Sequence, residues 1–335
     1  MRDVAALAGV SLKTVSRVVN GETTVAPELA TRVQRAAGAL DYRPNLTARN
    51  LRSSDGRTRT IGLLLENVAN PFSSALHRAV EDVARGRGVA VFAGSVDEDP
   101  QRERELALAL VARRVDGLII VPAGDDQSYL ANERSAGLSL VFADRPPRLL
   151  RADTVVSDNL AGARTAVLHL IDRGHTRIGF LGDLRQISTA ADRLSGYTEA
   201  LAEARIALDD QLVRFDLHSV DAAEVAVRSL LLGARPTALF ATQNLITIGA
   251  LRALRELGLT ERVALVGFDD LMLADMLQPA VTVVAQDPAA IGATACRVLF
   301  QRMDGDSSPP RNHTIPTRLI ARGSGEITPD AHPPV

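Results

Sequence analysis

Lys13 and Arg17 are the cations whose type and spacing say most about chemistry in this 335-residue chain. Lys13 is the only lysine, and Arg17 follows four residues later, so in a helix both side chains lie on one face. Lysine and arginine are the usual donors to the O6 and N7 atoms of guanine in the major groove of DNA. The spacing therefore indicates a helix face that contacts base edges, with an ordinary solvated helix as the alternative.

The segment around these two cations predicts three short helices. Asp3 is predicted to cap a first helix that ends before Gly9, and Ser11 to cap a second helix over residues 12–19. A third helix is predicted over residues 27–40, with proline in its first turn. Two short helices joined across a glycine-containing turn form a helix-turn-helix unit.

The second helix of this unit carries the candidate DNA contacts. Leu12, Lys13 and Arg17 are predicted to reach base edges, because a recognition helix enters the major groove with its N-terminal residues. Short polar side chains near them suit phosphate oxygens. The predicted backbone contacts are Ser11, Thr14, Ser16 and Asn20.

Charge is distributed unevenly along the chain. Residues 1–60 carry ten lysines and arginines against five acids, whereas the remainder carries 28 against 35 and the whole chain has a net charge of −2. A basic N-terminal segment on an acidic body predicts a polyanionic partner for that segment alone.

Residues 45–51 predict two turns of helix with little to pack against, followed by a polar linker over residues 53–60. Isolated helices of this length are marginal in water. Leu51 lies in a basic stretch, and apolar side chains wedged between base steps kink DNA. The predicted minor-groove contacts are Asn45, Ala48, Arg49, Leu51 and Arg52.

From residue 60 onward, short apolar runs alternate with amphipathic helical segments. The predicted strands are 61–65, 89–94, 117–122, 138–143, 177–182, 238–242, 263–268 and 281–285. The predicted helices are 71–87, 99–115, 159–173, 191–204, 222–232 and 244–257. This alternation predicts an α/β body of doubly wound parallel sheets, and two sets of similar size predict two lobes. Polar loops at the carboxyl ends of the strands suit a polar small molecule held in a cleft.

The sequence carries no recognisable catalytic or metal-binding motif. Phosphate-binding glycine loops, HExxH and GxSxG are absent, and the six histidines have no metal-ligand spacing. Asp125-Asp126 and Asp269-Asp270 are more typical of helix caps or solvated loops than of an acid/base pair. Cys296 lies alone in an apolar helical pattern, which predicts a buried thiol. We expect no enzymatic activity, no cofactor, no membrane contact and a cytoplasmic location.

Two consecutive stretches, DVAALAGVSLKTVSRVVNG and ALDYRPNLTARNLRS, are similar to the DNA-binding head and hinge of the LacI/GalR family of bacterial repressors. The resemblance implies that Leu12, Lys13 and Arg17 read an operator. It also implies that the hinge helix folds only on DNA and that Leu51 enters the minor groove at the centre of the site.

The body resembles the effector domain of the same family, which is itself similar to periplasmic sugar-binding proteins. The motifs are NPFSS, DGLIIVP, DRLSGY, LITIGALRAL, VGFDDL and RLIARGS. Many relatives carry Asn-Asp where this chain has Gln243-Asn244. The side of the cleft that contacts the ligand therefore has one negative charge fewer than in those relatives. The implied effector contacts are Phe72, Asp144, Thr189, Arg193, Asn244 and Asp269, with Gln286 and His218 as weaker candidates.

Three of these residues have a structural alternative. Phe72 could serve only as packing on the hinge side, and Asp144 and Asp269 could cap helices or pair with arginine across the cleft. Arg193 precedes Gly196 by three residues and suits a bidentate clamp on vicinal hydroxyls or a carboxylate.

These patterns predict five segments. They are a head (1–44), a hinge and linker (45–60), an N-lobe (61–157 with 286–316), a C-lobe (158–285 with 317–323) and a disordered tail (324–335).

The sequence thus indicates a homodimeric or larger repressor on a pseudo-palindromic operator, controlled by a sugar-like effector. An inducer and a corepressor both remain open. The alternatives are an activator or an effector-independent regulator of the same family. Other classes are an enzyme and a periplasmic-type binding protein, which predicts a signal peptide and no basic head.

Overall fold

The computed structural model describes residues 1–19, 24–42 and 57–329, and the chain divides into two compact units at residues 59 and 60. The described part of the first unit forms three helices, α1 (Arg2–Ala8), α2 (Leu12–Val19) and α3 (Pro27–Ala39). The predicted cap at Asp3 is wrong. Helix α1 begins at Arg2, so Asp3 lies in its first turn, where a carboxylate interacts favourably with the positive end of the helix dipole.

Gly9 forms the turn between α1 and α2. Its φ of 60° and ψ of 40° are left-handed, and Arg32 donates from Nη2 to the carbonyl oxygen of Ala8 at 2.6 Å. A Cβ atom at position 9 would lie 2.7 Å from that same Nη2 atom. Glycine therefore meets both the backbone and the packing requirement of the turn. The buried core of the head consists of Val4, Ala5, Ala8, Val15, Val33 and Ala36.

The second unit contains strands and helices in alternation. Its strands are β1 (Thr60–Leu65), β2 (Ala90–Ser95), β3 (Gly117–Ile120), β4 (Ser139–Ala143), β5 (Asp153–Ser157), β6 (Ile178–Leu181), β7 (Val213–Arg214), β8 (Ala238–Ala241), β9 (Ala264–Phe268), β10 (Thr282–Ala285), β11 (Asn312–Ile315) and β12 (Arg318–Ile320). Its helices are α4 (Pro71–Gly86), α5 (Pro100–Ala112), α6 (Ala131–Ser135), α7 (Asn159–Ile171), α8 (Ser188–Glu203), α9 (Val220–Gly233), α10 (Asn244–Glu256) and α11 (Pro288–Met303).

The strands form two sheets. The first has the order β11-β5-β4-β3-β1-β2 and the second β12-β10-β9-β8-β6-β7. All pairings are parallel except that of β10 with β12. The prediction of a two-lobed α/β body with doubly wound parallel sheets is confirmed.

Four strands lie outside the predicted set: β5, β7, β11 and β12. Strand β7 has two residues, and β11 (NHTI) and β12 (RLI) are partly exposed and polar. Each of these three lies at the edge of a sheet, where no continuous apolar run is needed. Strand β5 (DTVVS) is buried but begins and ends on polar residues.

Helices cover both faces of each sheet. In the first lobe α4 and α11 pack on one face and α5 on the other, and in the second lobe α7 and α8 oppose α9 and α10. Cys296 of α11 is fully buried in the first of these cores, and burial raises the pKa of its thiol to about 12. The predicted buried thiol is confirmed. Within the described ranges no helix is both long enough and apolar enough to cross a membrane.

The chain passes between the lobes three times. It does so between β5 and α7, between β10 and α11, and between β11 and β12. Gln286 lies in the second of these crossings.

The prediction of a disordered tail is wrong for residues 324–329. Ser324 is buried, and its hydroxyl donates to the carbonyl oxygen of Leu265 at 2.6 Å. Glu326 accepts from Arg173 and lies 2.8 Å from His169 Nε2. These contacts attach the segment to the second lobe, and a polar sequence alone does not reveal them. Residues 330–335 lie outside the described part.

Gly196 allows α7 and α8 to approach closely, and we expect Gly196→Ala to destabilise the body. A Cβ atom there would lie 2.3 Å from the carbonyl oxygen of Leu160, a backbone atom that cannot move aside. Overpacking of this kind costs about 1–3 kcal/mol or more. Thermal unfolding followed by circular dichroism would measure the loss. Gly86→Ala is the control, because nothing lies within 4 Å of its Cβ position; an equal melting temperature for both variants would contradict the argument.

Candidate functional site

The exposed face of α2 carries the residues predicted to read DNA. Val15 is fully buried in the core of the head, and this fixes the rotation of the helix. Leu12, Lys13 and Arg17 are exposed, with Leu12 at 47%. An apolar side chain and two cations therefore lie on the solvent side of the second helix of the helix-turn-helix unit.

Some of the residues predicted to contact the DNA backbone lie beside this face. The hydroxyl of Ser11 accepts from the Thr14 backbone N–H at 3.1 Å, which caps α2 as predicted, and lies 2.9 Å from the Thr14 hydroxyl. Thr14 and Ser16 are half-buried. The other predicted contacts lie outside the described residues: Asn20, Asn45, Ala48, Arg49, Leu51 and Arg52.

A second candidate site is the cleft between the two lobes of the body. It lies at the carboxyl ends of parallel strands, where open α/β sheets bind ligands. Glu66 follows β1 and Asp144 follows β4 in the first lobe, while Asp183 and Asp269 lie beyond β6 and β9 in the second. Seven predicted effector contacts line this one cavity: Phe72, Asp144, Thr189, Arg193, His218, Asp269 and Gln286.

Asn244 does not line the cavity itself. Its side-chain Nδ2 donates to Oδ1 of Asn70 at 2.8 Å, and Asn70 belongs to the other lobe and lines the cavity. Asn244 therefore connects the two lobes at the rim. Phe72 is half-buried and packs against the core of the first lobe, so it serves both as packing and as lining.

Arg193 of α8 is held rigidly at the bottom of the cleft. Nε donates to Oδ1 of Asn159 at 2.9 Å, and Nη1 donates to the carbonyl oxygen of Thr242 at 2.5 Å. The guanidinium group also lies 4.0 Å from the centre of the Phe268 ring. Within the described part of the chain, Nη2 makes no hydrogen bond and remains available as a donor.

Asp144 and Asp269 occupy equivalent positions in the two lobes. Each follows a strand with a left-handed φ, 65° and 75° respectively, and each is 8% exposed. Asp269 also lies beside the backbone N–H of Asn244, the first residue of α10. Burial raises the pKa of both carboxyls, and the nearby Arg193 opposes that shift in each. Nε2 of Gln286 donates to Oδ1 of Asp269 at 2.6 Å.

The structure adds eight lining residues to the predicted contacts: Glu66, Asn70, Ser73, Glu98, Val121, Arg145, Asp183 and Gln243. Glu66 and Asp183 come shortly after predicted strands, so the rule that sites lie at strand ends could have found them. Glu98 lies three residues beyond β2, so the same rule applies to it. Arg145 donates from Nη1 and Nη2 to the two carboxylate oxygens of Glu98, each at 2.7 Å.

His218 lies between acids of the two lobes. Its Nδ1 is 2.7 Å from Oδ1 of Asp183, and its Nε2 is 3.9 Å from Oε1 of Glu66. The hydrogen bond with Asp183 raises the pKa of His218. Burial raises the pKa of Glu66 to about 7. Glu66 therefore changes charge near neutral pH.

Comparison with known proteins identifies relatives of both units. The family model described as bacterial regulatory proteins, lacI family, matches residues 1–45, and the one described as periplasmic binding protein-like domain matches residues 167–325. The ribose operon repressor of Haemophilus influenzae is 32% identical over 97% of this chain and 98% of its own length.

Two solved structures are similar over nearly the whole chain. The lac repressor dimer bound to operator and the anti-inducer ONPF has a TM-score of 0.86 at 28% identity, covering 96% of this chain and 98% of that chain. The transcriptional regulator CelR in complex with cellobiose has a TM-score of 0.73 at 31% identity, with the same coverage. These likenesses extend from the helix-turn-helix head through both lobes, and the chain belongs to the lacI family of bacterial regulatory proteins.

Proposed function

We propose that this chain is a sequence-specific transcriptional repressor whose affinity for an operator is controlled by a small polar effector bound between the lobes. The observation that carries the proposal is the exposed α2 face with Leu12, Lys13 and Arg17. The names of the relatives support it, since they include an operon repressor and a repressor solved on its operator.

In this proposal Lys13 and Arg17 donate to base edges in the major groove, and Leu12 makes apolar contact beside them. Ser11, Thr14, Ser16 and Asn20 contact phosphates and set the position of the helix. The hinge segment, with Leu51 as a minor-groove wedge, orders on DNA.

Arg17→Ala tests base reading. We expect affinity for the operator to fall about 5–150-fold, equivalent to about 1–3 kcal/mol for a base contact, with a much smaller loss on unrelated DNA. Fluorescence anisotropy with a palindromic promoter fragment and a scrambled competitor measures both. Arg35→Ala, at an exposed position on α3, is the matched control. An equal loss on both DNAs would show that Arg17 contributes charge and no sequence preference.

Homodimerisation places two heads on the half-sites of a pseudo-palindrome. We propose that it uses an apolar face of the second lobe, defined as Ile248, Leu251, Met272, Met276 and Leu277. Met272 and Met276 are 86% and 73% exposed, and such a contiguous apolar patch is typical of a protein interface. The lac repressor was solved as a dimer, which favours a second copy of this chain as the occupant.

The effector is proposed to bind at Arg193, Asp144 and Asp269, whose donors and acceptors suit hydroxyl groups. CelR was solved with cellobiose, and the Haemophilus relative is named for a ribose operon. Effector and operator must influence one another reciprocally: an effector that weakens operator binding itself binds the operator complex more weakly, by the same factor. A typical coupling of about 1–3 kcal/mol changes affinity about 5–150-fold.

A further inference from the structure

The cleft contains more acids than bases. Five carboxylates line it, against two guanidinium groups and one imidazole: Glu66, Glu98, Asp144, Asp183 and Asp269 against Arg145, Arg193 and His218. Acids remain in excess even when the imidazole is protonated. Buried charges in proteins are normally paired, so an excess of one sign calls for a partner of the other sign.

Arg145 offers no charge to a ligand. Both terminal nitrogens are bound by Glu98 at 2.7 Å, and Nη1 also donates to the carbonyl oxygen of Pro122 at 3.1 Å. This bidentate pair is neutral as a unit. The remaining acids are therefore balanced mainly by Arg193 and His218, with Arg145 Nε 3.5 Å from Oδ2 of Asp144.

Asp144 is only weakly paired. It is 8% exposed and lines the cavity, and the charges of Arg145 and Arg193 oppose the rise that burial causes in the pKa of its carboxyl. Its closest cationic atom is Nε of Arg145 at 3.5 Å, which is longer than a hydrogen bond. Arg193 is shared between Asp144 and Asp269, so one guanidinium group faces two carboxylates.

Glu66 is the second incompletely paired acid. Asn70 Nδ2 reaches its Oε2 only at 3.4 Å, and His218, 3.9 Å from Oε1, is already bound by Asp183. The Glu66 carboxylate is 15% exposed. Burial and the charge of Glu98 raise its pKa to about 7, against the opposing charges of Arg145 and His218.

We infer that the effector is a hydroxylated molecule with a protonated amino group, which binds in the cleft with that group beside Glu66. Resting on the proposed function, this inference narrows the class of effector. The ammonium group supplies the positive charge that the acids lack, while hydroxyl groups bind Asp144 and Nη2 of Arg193. An effector with a carboxylate or phosphate group would add a sixth negative group to the five carboxylates of the cleft. We therefore expect such an effector not to bind. Glu66 is thus a specificity-determining residue.

Matched ligands test the inference on the full-length protein. Glucose, glucosamine and gluconate form one set, and galactose, galactosamine and galacturonate another. We expect an amine to raise the melting temperature more than its neutral partner and to bind at least tenfold more tightly in isothermal titration calorimetry. The acids should produce no shift.

Glu66→Gln keeps the size of the side chain and removes its charge. We expect the preference for the amine over the neutral sugar to fall to about onefold. Glu199→Gln, at an exposed position on α8 outside the cavity lining, should keep the full preference.

Three results overturn the inference: a neutral sugar that binds as tightly as its amine, an acid that binds, or a panel in which no amine stabilises the protein. If the Glu66 variant does not fold, the comparison of amine, neutral and acidic ligands on the wild-type protein decides whether the inference holds. The proposed function is judged separately, by operator binding without ligand. If a neutral sugar releases the operator, that function stands and the inference fails; if no palindromic fragment is preferred, the function itself fails.

Discussion

Arg193→Ala is expected to abolish the response of operator binding to effector. Charge-assisted hydrogen bonds contribute about 1.5–3 kcal/mol each, so loss of a clamp with more than one such bond lowers effector affinity by about 100-fold or more. In the wild-type protein Nε and Nη1 donate to Asn159 and Thr242. The two N–H donors of Nη2 are therefore left for the ligand. The measurement is operator binding titrated with whichever sugar releases the wild-type protein.

The same substitution has a second consequence that needs no effector. Asp144 and Asp269 each lose a cation that opposes the rise of their pKa, so both bind protons more strongly in the folded state. When the native state binds more protons than the unfolded state, stability falls as pH rises. We therefore expect Arg193→Ala to lower the melting temperature more at pH 8 than at pH 5.

Arg164→Ala is the control for both effects. Arg164 lies on α7, is 40% exposed and pairs with Glu203, and exposed pairs of this kind contribute at most about 1 kcal/mol. Its effector response should match that of the wild type at both pH values. A normal response in Arg193→Ala would mean that the guanidinium group is structural and does not hold the ligand.

Met276→Glu is expected to produce a monomer with operator affinity reduced by about 100-fold or more. Met276 is 73% exposed and belongs to the apolar face, where a carboxylate would be desolvated without a partner. A single head then binds without the avidity that two linked heads provide, which is about 10²–10⁴-fold. Analytical ultracentrifugation gives the oligomeric state, and anisotropy gives the affinity.

Leu149→Glu provides the comparison. Leu149 is 77% exposed in the first lobe and does not line the apolar face, so its replacement should leave the dimer intact. If Met276→Glu also sediments as a dimer, the apolar face is not the dimer interface. If it is a monomer that binds the operator at wild-type affinity, two heads are not required.

Local pattern was sufficient to predict the head. The 3.6-residue period of α2 places Val15 inward and Lys13 with Arg17 outward, and a glycine at position 9 predicts the turn, because these properties depend on residues close in sequence. Most strands and helices of the body follow for the same reason. The apolar runs and amphipathic segments are continuous in sequence. Each one shows in its own residues whether one face or both faces of the strand or helix are buried.

Tertiary structure decided how those elements combine into a cleft. Strand β11 joins the first sheet and β12 the second although only two residues separate them, and neither has an apolar run that predicts it. Sheet membership depends on pairing between residues far apart in sequence, which local pattern does not encode.

The charged residues of the cleft also show which features the sequence predicts and which only the tertiary structure decides. The segments around Asp144, Arg193 and Asp269 predict a ligand site, and the structure brings these residues together. It also brings Glu98 and Arg145 into a bidentate pair across 47 residues of sequence and places His218 between acids of two lobes. Burial and proximity set the pKa of Glu66 and the excess of negative charge, and both arise only when distant segments enclose the same space.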